Sequence, residues 1–113
     1  MTLGLGLAAC SPSKPELSSD EATQIVREVR SLAATPKAGE CANKSDWPSA
    51  VRALEPESVC RRSTGFVIRI WSFSVEEKGY FVPDEGELVD TQGGVDPKYS
   101  QIHGSLYWYH AKG

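Results

Sequence analysis

The chain has 113 residues and a formal net charge of −3 at pH 7. This length is enough for one domain and too short for two. The weak acidity argues against a nucleic-acid-binding protein, because a phosphate-binding surface needs clustered lysine and arginine. No segment has the run of about eighteen apolar residues that a membrane-spanning helix requires.

The N-terminal segment is apolar and ends in a cysteine. Residues 1–9 carry no charge, and Leu7-Ala8-Ala9-Cys10 precedes a stretch of serine, proline and lysine. This tetrapeptide resembles the lipobox of bacterial lipoproteins, in which small residues precede the cysteine that receives the lipid. The resemblance implies that residues 1–9 are a truncated signal, without the usual basic opening, and that Cys10 is lipidated. The alternative is an apolar strand or helix with a buried cysteine.

Residues 10–18 are predicted to be the lipidated cysteine and a flexible tether. The prolines and serines after Cys10 disfavour helix and strand, and an extended polyproline conformation would span roughly 25 Å. In lipoproteins of this kind, an aspartate after the cysteine retains the protein in the inner membrane, and this chain has Ser11 there. The resemblance therefore implies an outer-membrane protein that faces the periplasm and contacts the lipid bilayer through Cys10.

A helix is predicted to begin after Ser18. Ser18 and Glu21 match a capping box, in which each side chain accepts a hydrogen bond from the other residue's amide. The helix should end near Ala34, since Pro36 disfavours helical geometry in the residue before it. The spacing of the apolar residues places them on one face, namely Ala22, Ile25, Val26, Val29, Leu32 and Ala33. A membrane-surface helix is the alternative, but its polar face would need to be more basic.

A second, shorter helix is predicted after a loop. Asp46 can cap it, and Pro48 fits the first turn because a missing amide costs nothing there. Pro56 stops it. The buried side would consist of Trp47, Ala50, Val51 and Leu54.

The second half of the chain favours an antiparallel sheet, because it is rich in β-branched and aromatic residues. Strands are predicted at 58–61, 66–75, 80–82 and 105–109, with turns at 62–65 and 76–79 and a long loop over 83–102. We expect the second strand to bend so that Phe73 and Val75 turn inward. The predicted fold class is α+β, in which the N-terminal helix and the short second helix pack on one face of about four antiparallel strands. Residues 19–113 would form this single domain.

The body of the chain also resembles a loose pattern in small uncharacterised bacterial proteins. The shared residues include Trp47-Pro48, Gly65-Phe66 and the segment Gly79-Tyr80-Phe81-Val82-Pro83. The resemblance supports the fold and implies no activity.

The cysteine count fits an exported protein. With Cys10 used by the anchor, Cys41 and Cys60 remain as a pair, which usually forms a disulfide in an oxidising compartment. Such a bridge would stabilise the domain by roughly 3 kcal/mol. Two thiols are too few for a zinc site without nearby histidines, and His103 and His110 are distant in sequence. No metal or cofactor is expected.

Signals for catalysis are weak. The chain lacks the Gly-x-Ser-x-Gly nucleophile elbow of hydrolases, and His103 is the one well-placed candidate base. The 83–102 loop is acidic, but its carboxylates lack the spacing of a calcium loop. We therefore lean against an enzyme. The alternative is a small cell-wall or ester hydrolase with His103 and this loop at a cleft.

Aromatic residues give the best indication of function. The predicted binding surface combines strand aromatics with an acidic rim, and it consists of Trp71, Phe73, Tyr107, Trp108, Tyr109, Asp84, Glu85 and Asp90. Side chains alternate along a strand, so Tyr107 and Tyr109 should face away from Trp108. Exposed aromatics mark protein-binding surfaces. The alternative is that these aromatics simply fill the core.

Together these features predict a membrane-anchored periplasmic lipoprotein that acts as a non-enzymatic protein-binding module. Its partner would be a protein of the cell envelope, and its task could be inhibition, immunity or envelope assembly. The small hydrolase and a passive structural lipoprotein remain as alternatives.

Overall fold

The structure, a computed structural model, describes residues 11–32 and 37–113. The predicted lipidation site Cys10 and the predicted helix end near Ala34 lie outside these residues. The described part forms helices α1 (Ser19–Arg30) and α2 (Ser49–Arg52), with a 3-10 turn at Lys44–Asp46. Five strands follow, namely β1 (Ser58–Arg62), β2 (Gly65–Phe73), β3 (Glu76–Pro83), β4 (Lys98–His103) and β5 (Leu106–Ala111). They form one antiparallel sheet in the order β1-β2-β3-β5-β4.

This architecture confirms the predicted α+β class, with two helices packed on a sheet. The sheet has five strands where about four were expected. Among the described helices, none is long and apolar enough to cross a membrane.

Helix α1 begins with the predicted capping box. The Glu21 amide donates to Ser18 Oγ at 3.1 Å, and the Ser18 amide donates to Glu21 Oε1 at 3.0 Å. Among the described residues the helix extends to Arg30, and the amide of the C-cap residue Ser31 donates to the carbonyls of Arg27 and Glu28. Acidic residues in the first turn and arginines in the last turn complement the helix dipole.

Three short hairpins build the sheet. Their two-residue turns are Ser63-Thr64, Ser74-Val75 and Gly104-Ser105. The predicted turn at 76–79 is wrong, because those residues belong to β3 and pair with β2. The turn therefore falls at Ser74-Val75. Phe73 and Val75 stand at its tip, 72% and 70% exposed, and do not turn inward as expected.

Strand β4 lies inside the segment predicted as a loop. Both β3 and β4 pair antiparallel with β5, so they run parallel to each other. The connection from Asp84 to Pro97 must therefore return along the length of the sheet. The polar residues Ser100 and Gln101 interrupt the hydrophobic pattern of β4, so the sequence pattern does not predict this strand.

The core lies between the helices and one face of the sheet, here called the helix side. Ile68 pairs with Val59 on one neighbouring strand and with Tyr80 on the other. Tyr80 packs edge-on against Trp108 with ring centroids 5.2 Å apart. The buried residues packed against them come from the two helices and the segments next to them, and they are Ala22, Ile25, Val29, Leu32, Trp47 and Val51.

A β-bulge at Ile70 changes the face of the residues that follow. Arg69 pairs with Gly79 and Trp71 pairs with Lys78, so Ile70 is an additional residue. Trp71 therefore shares the helix side with Lys78, whose Nζ lies 5.9 Å from the indole centroid.

The segment predicted as a tether contacts the helix side of the sheet. Residues 11–17 form neither helix nor strand. Lys78 Nζ donates to Ser11 Oγ at 2.9 Å and to the Pro12 carbonyl at 3.1 Å. Leu17 packs against the hydrophobic core. These contacts hold the segment on the domain.

The two edges of the sheet differ. Cys41 and Cys60 form the predicted disulfide, and residues 39–42 hydrogen-bond along β1 through the Ala42 amide to Val59 and the Arg61 amide to Glu40. At the other edge, no strand of the described chain pairs with the outer side of β4. The β1 edge is thus covered by residues 39–42, which the disulfide attaches to it, whereas the β4 edge has no strand beside it in the described part of the chain.

Candidate functional site

The sheet face opposite the helices, here called the outer face, contains a shallow groove of about 300 Å³. All five strands contribute residues to it, and these side chains lie on one face because side chains alternate along a strand. The groove residues are Arg62, Thr64, Val67, Glu77, Phe81, Pro97, Tyr99, Tyr109 and Ala111. The site therefore brings together aromatic rings, one cation and one carboxylate.

Gly79 lies between the groove residues Glu77 and Phe81 on β3 and pairs with Arg69 on β2. A Cβ atom at this position would lie 2.1 Å from the Ile68 carbonyl oxygen. A side chain there would require the backbones of β2 and β3 to separate. Glycine thus allows the close approach of these strands.

Two tyrosines form one wall of the groove. The Tyr109 hydroxyl donates to Glu77 Oε1 at 2.7 Å, and the Tyr99 ring lies 5.2 Å from that of Phe81. Burial, followed by the hydrogen bond to Glu77, raises the pKa of Tyr109 far above its ordinary value. Burial also raises the pKa of Tyr99. The hydroxyl proton of Tyr109 is thus engaged by Glu77.

Arginines supply positive charge on this face. Arg62 is exposed at the groove. Arg69 Nε donates to Glu57 Oε1 at 3.0 Å, and the same oxygen accepts from Ser72 Oγ at 2.7 Å. Because Arg69 is neutralised by Glu57, Arg62 is the more available cation for a ligand.

The aromatic residues predicted as one binding surface are divided between the two faces. Tyr107 and Tyr109 lie on the outer face and Trp108 on the helix side, and Tyr109 and Trp108 are both buried. Trp71 and Phe73 follow the bulge and lie on the helix side, with Phe73 at the hairpin tip. The predicted alternation of Tyr107, Trp108 and Tyr109 is confirmed, but the five aromatics do not form a single patch.

The carboxylates predicted as an acidic rim contact the protein itself. Asp84 forms two hydrogen bonds with Arg61, at 2.6 and 2.7 Å, which raise the pKa of that arginine. Glu85 lies 3.7 Å from Arg30. Asp90 accepts hydrogen bonds from the amides of Gln92 and Gly93 in its own turn. These side chains hold the end of β3 and the following connection in place.

Sequence reasoning missed several groove residues, among them Arg62, Glu77, Phe81 and Tyr99. Tyr99 lies on β4, in the segment whose sequence predicts a loop. Period-two alternation around Gly79 could have placed Glu77 and Phe81 on one face, had β3 been recognised from Glu76 onward.

The other chemical candidates have ordinary surroundings. His103 is exposed at the β4–β5 turn, the environment of a surface residue. Within 11–32 and 37–113, no cluster of three or more His, Cys, Asp or Glu side chains could hold a metal ion.

Comparison with protein-family models, curated proteins and solved structures finds no match to this chain. Its function is therefore inferred from the surfaces described above.

Proposed function

We propose that this chain is a bacterial outer-membrane lipoprotein that faces the periplasm and binds a protein partner of the cell envelope without catalysing a reaction. The partner would occupy the outer face of the sheet. Inhibition of an envelope enzyme, immunity against a toxin and envelope assembly are all tasks of this kind. The observation that carries the proposal is the groove lined by Tyr99, Tyr109, Phe81 and Arg62.

The residue types of the groove favour a protein partner. Tyrosine and arginine are enriched among the residues that dominate binding energy at protein interfaces. The groove volume of about 300 Å³ is at the lower limit for small-molecule pockets, which are also more enclosed. A shallow groove in which the exposed Arg62 lies with the partly exposed Tyr99 above the buried Tyr109 and Phe81 is better suited to a side chain of another protein.

The open edge of β4 extends this surface. Tyr99 belongs to β4 and lines the groove, so a segment beside β4 could place side chains next to it. The Gln101 carbonyl of β4 already accepts a hydrogen bond from Lys14 Nζ at 3.3 Å, which an extended segment beside β4 would have to replace. Backbone groups at such an edge can pair with an extended segment of a partner.

Two features support the location. The Leu7-Ala8-Ala9-Cys10 sequence resembles a lipobox, and the Cys41–Cys60 disulfide is of a kind that persists in oxidising compartments such as the periplasm.

The anchor is tested by metabolic labelling with a fatty acid. The wild-type protein should incorporate the label and sediment with membranes. Cys10→Ser should lose the label and the membrane fraction while keeping the circular dichroism spectrum of the folded domain. The matched control is Ser13→Cys in the Cys10→Ser background, which restores a thiol nearby without a lipobox. An unlabelled wild-type protein would contradict the lipoprotein assignment.

The partner site is tested by photo-crosslinking in cells. A photoreactive amino acid at Tyr107, which is half-buried on the outer face, should give a discrete crosslinked adduct. The same amino acid at Arg27, which is exposed on α1, should not give that adduct. If neither position gives an adduct, or if both give the same one, the outer face is not the partner site.

A further inference from the structure

The tip of the β2–β3 hairpin exposes two large apolar side chains to solvent. Phe73 and Val75 are 72% and 70% exposed and flank Ser74 at the turn. Ser74 has a φ of 59°, a left-handed conformation that residues other than glycine rarely adopt. Burial in the core does not explain these two side chains, and the groove residues lie elsewhere on the sheet.

The N-terminal segment reaches the domain at the same end of the sheet. Ser11 and Pro12 accept hydrogen bonds from Lys78. Lys78 pairs with Trp71, and two residues further along each strand Phe73 pairs with Glu76 beside the turn. Ser11 directly follows Cys10, and consecutive Cα atoms are only about 3.8 Å apart. A lipid attached to Cys10 would therefore extend from the domain at a point close to the tip.

The contacts of residues 11–17 with the domain bear on whether this segment acts as a spacer. A freely extended tether would hold the domain up to roughly 25 Å from the lipid. Because Lys78 holds Ser11 and Pro12 and Leu17 packs on the core, the segment does not act as a spacer of that length. The end of the sheet that carries the tip is thus the part of the domain nearest to the lipid.

The polar groups at this end suit a membrane surface. Carboxylates at this end have partners within the protein, since Glu76 contacts His110, Glu77 accepts from Tyr109 and Asp96 accepts from two backbone amides. Glu57 likewise accepts from Arg69 and Ser72. Lys98 and Lys112 are exposed near them. Exposed apolar side chains flanked by lysines are typical of segments that lie in the membrane interface.

We propose that Phe73 and Val75 insert into the interfacial layer of the bilayer that holds the lipid of Cys10, with Lys98 and Lys112 close to lipid phosphates. This inference rests on the proposed lipidation of Cys10. The lipid supplies the affinity, and the tip fixes the orientation of the domain. The strands then point away from the membrane, so that the outer-face groove opens sideways into the periplasm.

The test places an environment-sensitive fluorescent amino acid at Val75 in the lipidated protein. The matched control carries the same probe at Leu88, which is also a large exposed apolar residue but lies in the β3–β4 connection. Both proteins are reconstituted into vesicles of phosphatidylethanolamine and phosphatidylglycerol that contain nitroxide-labelled lipids. The nitroxides should quench the probe at 75 several-fold more strongly than the probe at 88, and Phe73→Ser should reduce the quenching at 75.

The possible failures can be distinguished. A lipidated protein that binds the vesicles but shows equal quenching at both positions would overturn the orientation and leave the anchor intact. A protein that carries no lipid and does not bind vesicles would overturn both. Shielding of position 75 only after addition of envelope proteins would identify the tip as a protein contact and overturn the membrane contact.

Discussion

The two faces of the sheet are made by the same strands and differ in the polarity of their side chains. On the helix side, Val59, Ile68 and Leu106 are completely buried and apolar. On the outer face, tyrosine hydroxyls, an arginine and a carboxylate line a shallow groove, in which Phe81 and Tyr109 are buried and Arg62 is exposed. Because side chains alternate along a strand, one residue can lie in the core while its neighbour in sequence lies on the candidate binding face. Neighbouring residues can therefore be changed to test each face separately.

The largest expected effect is on the helix side. Ile68→Ala removes a fully buried side chain at the centre of the core and should lower the free energy of unfolding by about 2–5 kcal/mol. The matched change is Val67→Ala, at the preceding residue, which is partly exposed on the outer face. This change should lower the free energy of unfolding by about 1 kcal/mol or less. Urea denaturation measures both. Equal losses would remove the distinction between the faces.

The disulfide is expected to have the next largest effect, since it fastens residues 39–42 to β1. Cys41 and Cys60 are separated by 19 positions, and closing a loop of similar size contributes about 3 kcal/mol in the chain-entropy description. Reduction should therefore lower the melting temperature clearly, measured by circular dichroism with and without reductant. Two reactive thiols in the native, air-exposed protein would show that the bridge is absent.

Gly79 tests how closely β2 and β3 approach beneath the groove. Gly79→Ala would place a Cβ atom 2.1 Å from the Ile68 carbonyl oxygen, so the strands must move apart, at an expected cost of about 1–3 kcal/mol. Gly94→Ala is the control, because a Cβ atom there meets nothing within 4 Å. A Gly79→Ala protein as stable as this control would mean that the strands separate without cost.

The smallest expected effect concerns the Tyr109 hydroxyl and depends on pH. The pKa of Tyr109 is raised in the folded protein above its value of 10.0 in the unfolded chain. Its contribution to stability is therefore complete below pH 10 and is lost as pH rises above 10. Tyr109→Phe should cost about 1 kcal/mol at neutral pH and should flatten the loss of stability above pH 10.

The measurement for Tyr109 is urea denaturation of both proteins from pH 7 to 11. Tyr80 and Tyr99 also have raised pKa values, but they are present in both proteins, so the difference between the two curves isolates Tyr109. Parallel curves would contradict a buried, hydrogen-bonded hydroxyl.

Local signals in the sequence were sufficient for several features. The capping box at Ser18 and Glu21 depends on residues three positions apart, and both of its hydrogen bonds are present. The period-two pattern correctly separated Trp108 from Tyr107 and Tyr109. The disulfide followed from the cysteine count.

Other features depend on pairing between distant segments and could not be predicted. Strand β4 is half polar and becomes a strand through its pairing with β5. The bulge at Ile70 is set by the register between β2 and β3 and reverses the expected face of Trp71. The groove combines Arg62, Glu77 and Tyr99 from three strands, so no local motif marks it.

The central claim is that the outer face binds a partner independently of the core. The groove variant combines Arg62→Glu with Thr64→Glu, two exposed side chains at the groove. The control variant combines Lys37→Glu with Thr23→Glu, the same kind of change at exposed positions elsewhere. The most direct measurement is the yield of the adduct crosslinked through position 107, taken together with the free energy of unfolding. We predict that both double variants stay within about 1 kcal/mol of the wild-type stability and that only the groove variant loses the adduct. An unchanged adduct in a folded groove variant would contradict the claim.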